Sequence, residues 1–153
     1  MKLVLVWVGR THDSRLQALQ RDYLGRLEKF TGVEARVVRE SPRRESSLAQ
    51  AEEKRWLEEK IPAASILVAL DETGRQYSSR EFARFLETLS ATGRRSVTFV
   101  VGGVHGLSRE FTARADYVLS LSPMTWTHEM TRVLLLEQLY RAFSISRGYP
   151  YHK

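Results

Sequence analysis

The hydrophobic positions of the chain follow two patterns that alternate along its length. Nearly continuous apolar runs are typical of buried β-strands, and they cover residues 3–8, 65–70, 96–101 and 116–121. Residues 33–39 alternate apolar and polar side chains, which is typical of a half-exposed or edge strand. Segments with helical spacing lie between these runs, at residues 14–30, 45–61, 78–90, 108–115 and 128–147. This alternation predicts one α/β domain over residues 1–153, with a mostly parallel sheet and helices on both faces.

Polar residues at the predicted helix starts support these boundaries. Asp13 or Ser14 is placed to cap the first helix. Ser78 or Ser79 is placed to cap the third helix, where Glu81 has the spacing of a capping box. The sequence therefore predicts helix starts close to these residues.

The last predicted helix is unusually apolar. Residues 133–136 (VLLL) are apolar on nearly every side of the helix, which a helix wet on one face would not be. The sheet can cover only one of these sides, so we expect a second subunit to cover another and the protein to form a homodimer. Glu137 in this helix has the spacing to pair with Arg141 one turn later. We interpret His128 as the residue at which the helix begins.

The composition excludes several classes of protein. The chain has no cysteine, which excludes disulfides, thiolate metal sites and cysteine nucleophiles. Its four histidines are scattered, so we expect no metal site. No apolar run approaches the ~20 residues of a membrane span, and residues 1–10 are better interpreted as a first strand than as a signal peptide. We therefore expect a cytoplasmic protein with no membrane partner.

The net charge of +6 favours a polyanionic partner such as nucleic acid. Residues 1–60 hold 13 basic and 10 acidic side chains, and residues 61–153 hold 11 and 8, so each part carries +3. The excess is therefore spread over a folded surface rather than held in a tail. Genome composition or a warm habitat explains the same excess equally well, and both interpretations stay open.

Three strand-end loops contain residues suited to a ligand. In open α/β sheets, ligands bind at the carboxyl ends of the strands, and residues 70–74, 102–106 and 122–127 follow three predicted strands. The glycines at 102–106 are spaced GGxxG and do not match a dinucleotide fingerprint, and there is no P-loop or GxSxG motif. Residues 128–132 (HEMTR) begin like a zinc-protease helix but lack its second histidine. The loops therefore predict a cofactor pocket of another kind.

The same loops carry a resemblance to a known family. Motifs spread over the whole chain match it, at residues 99–108 (FVVGGVHGLS), 119–128 (LSLSPMTWTH), 132–134 (RVL), 137–142 (EQLYRA) and 150–153 (PYHK). In these motifs the chain resembles the bacterial ribosomal large-subunit methyltransferase H family of the SPOUT superfamily. The resemblance implies a methyl transfer from S-adenosylmethionine to N3 of a pseudouridine in 23S rRNA. We expect the assembled ribosome as the substrate, and free 23S rRNA stays an open alternative. It also implies a deep trefoil knot near the C-terminus and a homodimer.

The resemblance assigns a role to particular residues. The implied donor-binding residues are Leu70, Gly102, Gly103, Gly106, Leu121, Ser122, Pro123, Met124, Thr125, Trp126 and Thr127. Pro123 and Trp126 are expected to contribute backbone atoms rather than side chains. The candidate RNA-binding residues are Arg132, Arg141, Tyr149 and Lys153. We favour a phosphate contact for Arg132 over a structural pair.

The removal of the N3 proton is the open step of this chemistry. Either a positioned base or a field that stabilises the imide anion can promote it. Tyr151 and His152 are candidates, because an aromatic tail can close over the site of a partner subunit. Two other functions remain open at this point: a non-catalytic RNA- or ribosome-binding module, and a small-molecule methyltransferase with a basic surface.

Overall fold

The computed structural model describes all residues, Met1–Lys153, as strictly alternating strands and helices. The strands are β1 (Lys2–Val8), β2 (Val33–Val38), β3 (Ile66–Gln76), β4 (Ser96–Val101) and β5 (Tyr117–Ser120). The helices are α1 (Ser14–Leu27), α2 (Ser46–Lys60), α3 (Ser79–Ala91), α4 (Arg109–Arg114) and α5 (His128–Ser146). The predicted α/β alternation is confirmed.

The five strands form one parallel sheet in the order β2-β1-β4-β3-β5. β1 pairs with β2 on one side and with β4 on the other, so that Val8 lies beside Val38 and Trp7 beside Val101. β2 is an edge strand, as its alternating pattern predicts. Because every pairing is parallel, the carboxyl ends of all five strands lie along one edge of the sheet.

Helices cover both faces of the sheet, also as predicted. In β1 the side chains of Leu3, Leu5 and Trp7 belong to the larger core cluster, which includes residues of α3 and α5. Val4, Val6 and Val8 belong to a second cluster on the other face, with residues of α2 and α4. The unbroken apolar run of β1 reflects this burial on both faces.

The structure confirms the predicted helix starts, but the predicted end of the first helix is wrong. Asp13 caps α1 by accepting hydrogen bonds from the amides of Arg15 and Leu16. Ser78 and Glu81 form a complete capping box at the start of α3. The first helix ends at Leu27, three residues before its predicted end.

Residues 71–74, predicted as part of a loop at the end of the third strand, lie inside β3. β3 runs on through residues 71–74, which form an irregularity in its register with β5, and Arg75 and Gln76 then resume the pairing. A Cβ on Gly74 would lie 2.6 Å from the carbonyl carbon of Val118. The backbones of β3 and β5 thus approach too closely for any side chain, and this long-range pairing overrides the local turn signal.

The expectation that a second subunit must cover residues 133–136 is wrong. Val133, Leu135 and Leu136 are buried within the single chain, and Leu134 is half-buried. The reason is that α5 packs against both α1 and α3 as well as against the sheet. Helices of the same chain thus bury the sides that the sheet leaves uncovered. None of the helices has the length and apolar character to cross a membrane.

Candidate functional site

The carboxyl edge of the sheet holds a cavity of about 800 Å³. The irregular segment of β3 at residues 70–72 and the loops that follow β4 and β5 line it together, at the three positions that the sequence indicates. All the implied donor-binding residues except the exposed Pro123 line this cavity: Leu70, Gly102, Gly103, Gly106, Leu121, Ser122, Met124, Thr125, Trp126 and Thr127. The structure thus brings together residues that lie up to 57 positions apart (127 − 70) in the sequence.

Sequence reasoning missed one wall of the cavity. The starts of α1 and α5 supply this wall, with Asp13, Leu16, His128, Glu129 and Thr131. A signal for it was present, because α1 follows the carboxyl end of β1 and α5 directly follows the loop after β5. Both helix starts must therefore lie at the edge where the ligand loops meet.

The glycine loop, residues 102–107, turns back on itself at the end of β4. The amide of Gly106 donates a hydrogen bond to the carbonyl oxygen of Gly103 at 3.0 Å. Gly106 has a φ of +71°, which favours glycine. A Cβ on Gly102 would lie 2.7 Å from the carbonyl carbon of Gly106. Close backbone contact therefore requires glycine at these positions and brings main-chain groups to the cavity.

Gly103 is required for a different reason. A Cβ on this residue would lie 2.9 Å from Cγ1 of Val8 and 3.8 Å from Oε2 of Glu53. A side chain at Gly103 would therefore meet β1 and α2 rather than open space. A bulky substitution here perturbs the core as well as the cavity.

Helix α2 holds the glycine loop from behind. The side-chain amide of Gln50 donates a hydrogen bond to the carbonyl oxygen of His105 at 2.7 Å. The hydroxyl of Ser46, one turn earlier, lies 2.9 Å from Nδ1 of His105. These two bonds fix both the backbone and the ring of His105, so the loop has a defined position before any ligand binds.

The loop after β5 forms a polar turn with an apolar outer surface. The hydroxyl of Ser122 accepts a hydrogen bond from the amide of Met124 at 3.0 Å. Thr127 then caps α5 through the amide of Met130. The side chains of Met124 and Trp126 are 73% and 47% exposed. The loop is thus ordered by its own hydroxyls while it leaves two large apolar groups in solvent beside the cavity.

Two residues of α5 attach its first turn to the β1–α1 loop. The Glu129 carboxylate accepts hydrogen bonds from the amides of His12 at 2.8 Å and Asp13 at 3.1 Å. The Arg132 guanidinium donates to the carbonyl oxygen of Val8 and to the hydroxyl of Thr11. These contacts join segments more than 100 residues apart and build the wall that the α1 and α5 starts form.

The burial of Arg132 contradicts the predicted contact of its side chain with an RNA phosphate. Its side chain is fully buried, and its guanidinium lies 5.4 Å from the centre of the Trp7 ring. None of the ion pairs of the chain includes Arg132, and burial lowers its pKa to about 10. Arg132 therefore acts inside the wall rather than on a surface that RNA can reach.

The cavity is acidic although the protein as a whole is basic. Four carboxylate residues line it, Asp13, Asp71, Glu72 and Glu129, and none of the lining residues is lysine or arginine. The chain carries a net charge of +6. The local field thus favours a cationic ligand inside the cavity, whereas polyanions are attracted to the outer surface.

The C-terminal tail folds back on α1 and α5 instead of on the cavity. The Tyr151 hydroxyl lies 3.2 Å from that of Tyr23 and donates to Oε1 of Glu137 at 3.1 Å. Glu137 also pairs with Arg141, which confirms the predicted pair, and Arg141 lies 3.2 Å from Nδ1 of His152. Burial, with the Tyr23 hydroxyl second, raises the pKa of the Tyr151 phenol.

The tail residues do not line the cavity of their own chain. Glu137 lies eight residues after Glu129 on α5, which is about 12 Å along the helix axis. The Tyr149 ring lies 5.4 Å from that of Phe30 and is 54% exposed. The structure therefore separates the predicted tail residues from the predicted donor residues within one subunit.

The parallel sheet and the cavity at its carboxyl edge, beside β3, β4 and β5, define the class as a ligand-binding α/β protein. Comparisons with known proteins identify that class further. The family model described as predicted SPOUT methyltransferase matches residues 1–152. A solved probable methylase family protein from Haemophilus influenzae superposes with a TM-score of 0.60 at 15% identity, over 99% of this chain and 70% of its own. A probable methyltransferase from Bordetella pertussis gives a TM-score of 0.52 at 15% identity, over 92% of this chain and 95% of its own.

Relatives with higher identity share the full length of the chain. The ribosomal RNA large subunit methyltransferase H of Geobacter metallireducens is 40% identical over 152 residues, which is 99% of both chains. The protein of the same name from Desulfotalea psychrophila is 40% identical over 153 residues and all of both chains. The chain therefore belongs to the SPOUT methyltransferases and, among them, to the ribosomal RNA large subunit methyltransferase H family.

Proposed function

We propose that this protein transfers a methyl group from S-adenosylmethionine to N3 of a pseudouridine in 23S rRNA, within the assembled ribosome. The observation that carries the proposal is the cavity that the irregular segment of β3 and the loops after β4 and β5 form together. It occurs in a chain whose full-length relatives at about 40% identity are named ribosomal RNA large subunit methyltransferase H. Such a reaction would take place in the cytoplasm, where ribosomes are.

The cavity suits a donor with a sulfonium group. The glycine loop brings main-chain groups to it, which can hydrogen-bond an adenine or a ribose without a particular side chain. The carboxylates of the lining, with Glu129 fixed at the start of α5, favour a positive charge. We assign donor binding to the implied loop residues that line the cavity and add Glu129, which the sequence did not indicate.

The protein's own contribution is alignment and electrostatics. When bound, the donor supplies a methyl group on a positively charged sulfur, which is already a strong electrophile. The fixed glycine loop and the wall of Glu129 and Arg132 hold the reacting partners in one orientation, which removes much of the entropic cost of the encounter. The remaining task is to take the proton from N3 as the bond forms.

We extend the proposal to a homodimer in which the tail of one subunit completes the RNA site of the other. The separation of the tail from the cavity of its own chain supports this arrangement, because the tail can then act only on a second copy. Tyr149 offers an exposed ring for a base, and Arg141 and Lys153 offer charge for phosphate. Tyr151 and His152 would close the site. The deep trefoil knot belongs to the same proposal and rests on membership of the SPOUT family.

Mass spectrometry of 23S rRNA tests the function directly. Cells that lack the protein should lose one methyl group on a pseudouridine, and a plasmid copy should restore it. Purified protein should then transfer label from S-adenosylmethionine to ribosomes from these cells. Binding to ribosomes without transfer would favour the RNA-binding module. Transfer to a free nucleoside that is insensitive to salt would favour the small-molecule methyltransferase, since phosphate-driven binding weakens steeply with salt.

A further inference from the structure

His128 is the first residue of α5 and lines the cavity beside Glu129. Its imidazole is half-buried. The other imidazole of the cavity, His105, has its Nδ1 at hydrogen-bond distance from Ser46, and that of His152 lies beside Arg141. His128 has no such partner in the chain, so its ring nitrogens are free for a ligand.

The surroundings of His128 keep the ring neutral near pH 7. Burial lowers the pKa of His128, and the Arg132 guanidinium one turn later on α5 lowers it further. His12 of the β1–α1 loop acts in the same direction, whereas Glu129 and Glu40, the latter on the β2–α2 loop, act against it. The N-terminus of α5 carries the positive end of the helix dipole, which also disfavours an imidazolium.

Three of the four carboxylates that line the cavity already accept hydrogen bonds within the chain and are less suited to accept a proton, and the fourth, Glu72, is exposed to solvent. The hydrogen bond from Arg15 holds the pKa of Asp13 far below its usual range. One oxygen of Glu129 already accepts two backbone amides. Asp71 accepts hydrogen bonds from the amide and the hydroxyl of Thr73. The Tyr151 phenol is held protonated by burial and by its neighbours, so it can donate a proton but does not accept one near pH 7.

We propose that His128 accepts the N3 proton of the target base, a role that rests on the proposed function. The N3–H bond breaks and its proton moves to a ring nitrogen of His128. The N3 electron pair forms the bond to the methyl carbon, and the carbon–sulfur bond breaks with its pair left on sulfur. The products are an N3-methylated base, a neutral thioether and an imidazolium, which the buried Arg132 disfavours and which therefore releases its proton readily to water.

His128→Gln tests this role in the full-length protein, with ribosomes from cells that lack the protein as substrate. The single-turnover rate is measured over about pH 5.5 to 9.5 for the wild type, His128→Gln, His152→Gln and His12→Gln. His12 is exposed and its side chain is absent from the cavity, so His12→Gln should keep the rate near pH 7 and, because His12 is the smallest of the influences on the pKa of His128, should move the inflection only slightly upward. We expect His128→Gln to lower the rate near pH 7 by about 10²- to 10⁴-fold and to remove the inflection on the acid side.

Two further measurements separate a proton acceptor from a structural residue. Added imidazole should restore part of the activity of His128→Gln, and calorimetry should give it the donor affinity of the wild type. Nuclear magnetic resonance of the donor-free protein should show the His128 ring titrating below the usual ~6.5. In an Arg132→Met variant that titration should move upward, because the neighbouring cation is gone.

The outcomes distinguish this inference from the proposed function. If the wild type methylates ribosomes and His128→Gln does so with the same rate and pH profile, His128 is not the acceptor. If only His152→Gln loses the inflection, the proton acceptor is His152 of the tail. If His128→Gln loses donor affinity, His128 is a donor-binding residue and not the proton acceptor. A wild type that transfers no methyl group to ribosomes would overturn the proposed function and the proton step with it.

Discussion

The guanidinium of Arg132 donates a hydrogen bond to the carbonyl oxygen of Val8, which attaches the first turn of α5 to the carboxyl end of β1. The contact is buried, and the same guanidinium reaches the hydroxyl of Thr11. One wall of the cavity thus depends on a buried cation with no carboxylate partner. Such a group is costly to bury unless its hydrogen bonds are made. Its role is therefore to hold the β1–α1 loop in place.

Arg132→Met tests this positioning role. We expect the free energy of unfolding to fall by about 1–2 kcal/mol, because hydrogen bonds to Val8 and Thr11 are lost. Donor affinity should fall about tenfold as the wall loosens, which calorimetry measures. The salt dependence of ribosome binding should stay that of the wild type, since the buried guanidinium reaches no phosphate. Arg109→Met, on the exposed start of α4, is the control. A shallower salt dependence in Arg132→Met would indicate instead that the Arg132 side chain contacts an RNA phosphate.

The alternation of strands and helices could be predicted from the sequence because burial on both faces leaves long apolar runs in β1 and β4. The ligand loops followed from the rule that parallel strands end at one edge. The same rule places the starts of α1 and α5 at that edge, but the contacts within this wall could not be predicted, because Glu129 and His12 lie 117 positions apart and meet only through the order of the strands. The burial of Val133 likewise depends on α1 and α3 both packing against α5, which periodicity does not reveal.

Gly102→Ala should damage the glycine loop specifically. The new Cβ would lie 2.7 Å from the carbonyl carbon of Gly106 and 2.9 Å from the amide nitrogen of Leu107, so the backbone must move. We expect a loss of about 1–3 kcal/mol in stability and weaker donor binding. Gly25→Ala is the matched control, because nothing lies within 4 Å of its Cβ, and it should stabilise α1 by about 0.5–1 kcal/mol. Unchanged donor affinity in Gly102→Ala would show that this loop does not contribute to donor binding.

Gly103→Arg is a poorer probe of the same loop. Its side chain would first meet Val8 and Glu53, so a loss of donor binding would report a perturbed core. Thermal unfolding should show a lower Tm for Gly103→Arg than for Gly102→Ala. Equal Tm values would mean that the core accommodates the arginine.

Glu129→Gln should separate the charge of the cavity from its shape. The glutamine oxygen can still accept hydrogen bonds from the amides of His12 and Asp13, so the wall should persist. The negative charge is lost, which should weaken binding of the cationic donor by about 1 kcal/mol, or about fivefold. Affinity for the neutral demethylated thioether should not change. Calorimetry with both ligands measures the two effects, and an equal loss for both would indicate a damaged wall instead of a lost charge.

The buried Glu53 predicts a pH dependence of stability. Its side chain is 2% exposed, Oε1 accepts a hydrogen bond from the amide of Ser41, and Oε2 has no partner. Burial raises the pKa of this carboxyl, so its contribution to stability is fully present below the unfolded pKa and is lost as pH rises through the folded pKa. Glu53→Gln should therefore be more stable than the wild type at neutral pH, and the difference should shrink below about pH 4.5. Chemical denaturation at several pH values measures it, and a constant difference would contradict the titration.

Deletion of the C-terminal tail tests whether the RNA site needs residues that the donor cavity does not. Deletion of residues 149–153 should leave dimerisation and donor affinity nearly intact, because these residues do not line the cavity of their own chain. Methylation of ribosomes should fall by orders of magnitude, and His152→Ala should show part of that loss.

Mixed dimers then test whether the tail acts on the partner. A subunit without the tail is combined with a full-length subunit whose donor cavity is disabled by Gly102→Ala. Each homodimer should be nearly inactive when the donor concentration is kept well below the dissociation constant of the Gly102→Ala cavity. The mixed dimer, however, contains one intact cavity, on the tailless subunit, and one intact tail, on the other. If the tail acts across the dimer, the mixed dimer recovers up to half of the wild-type activity, because one of its two sites is complete. If the tail serves its own subunit, no site is complete and the mixture stays inactive, while sedimentation verifies that mixed dimers have formed.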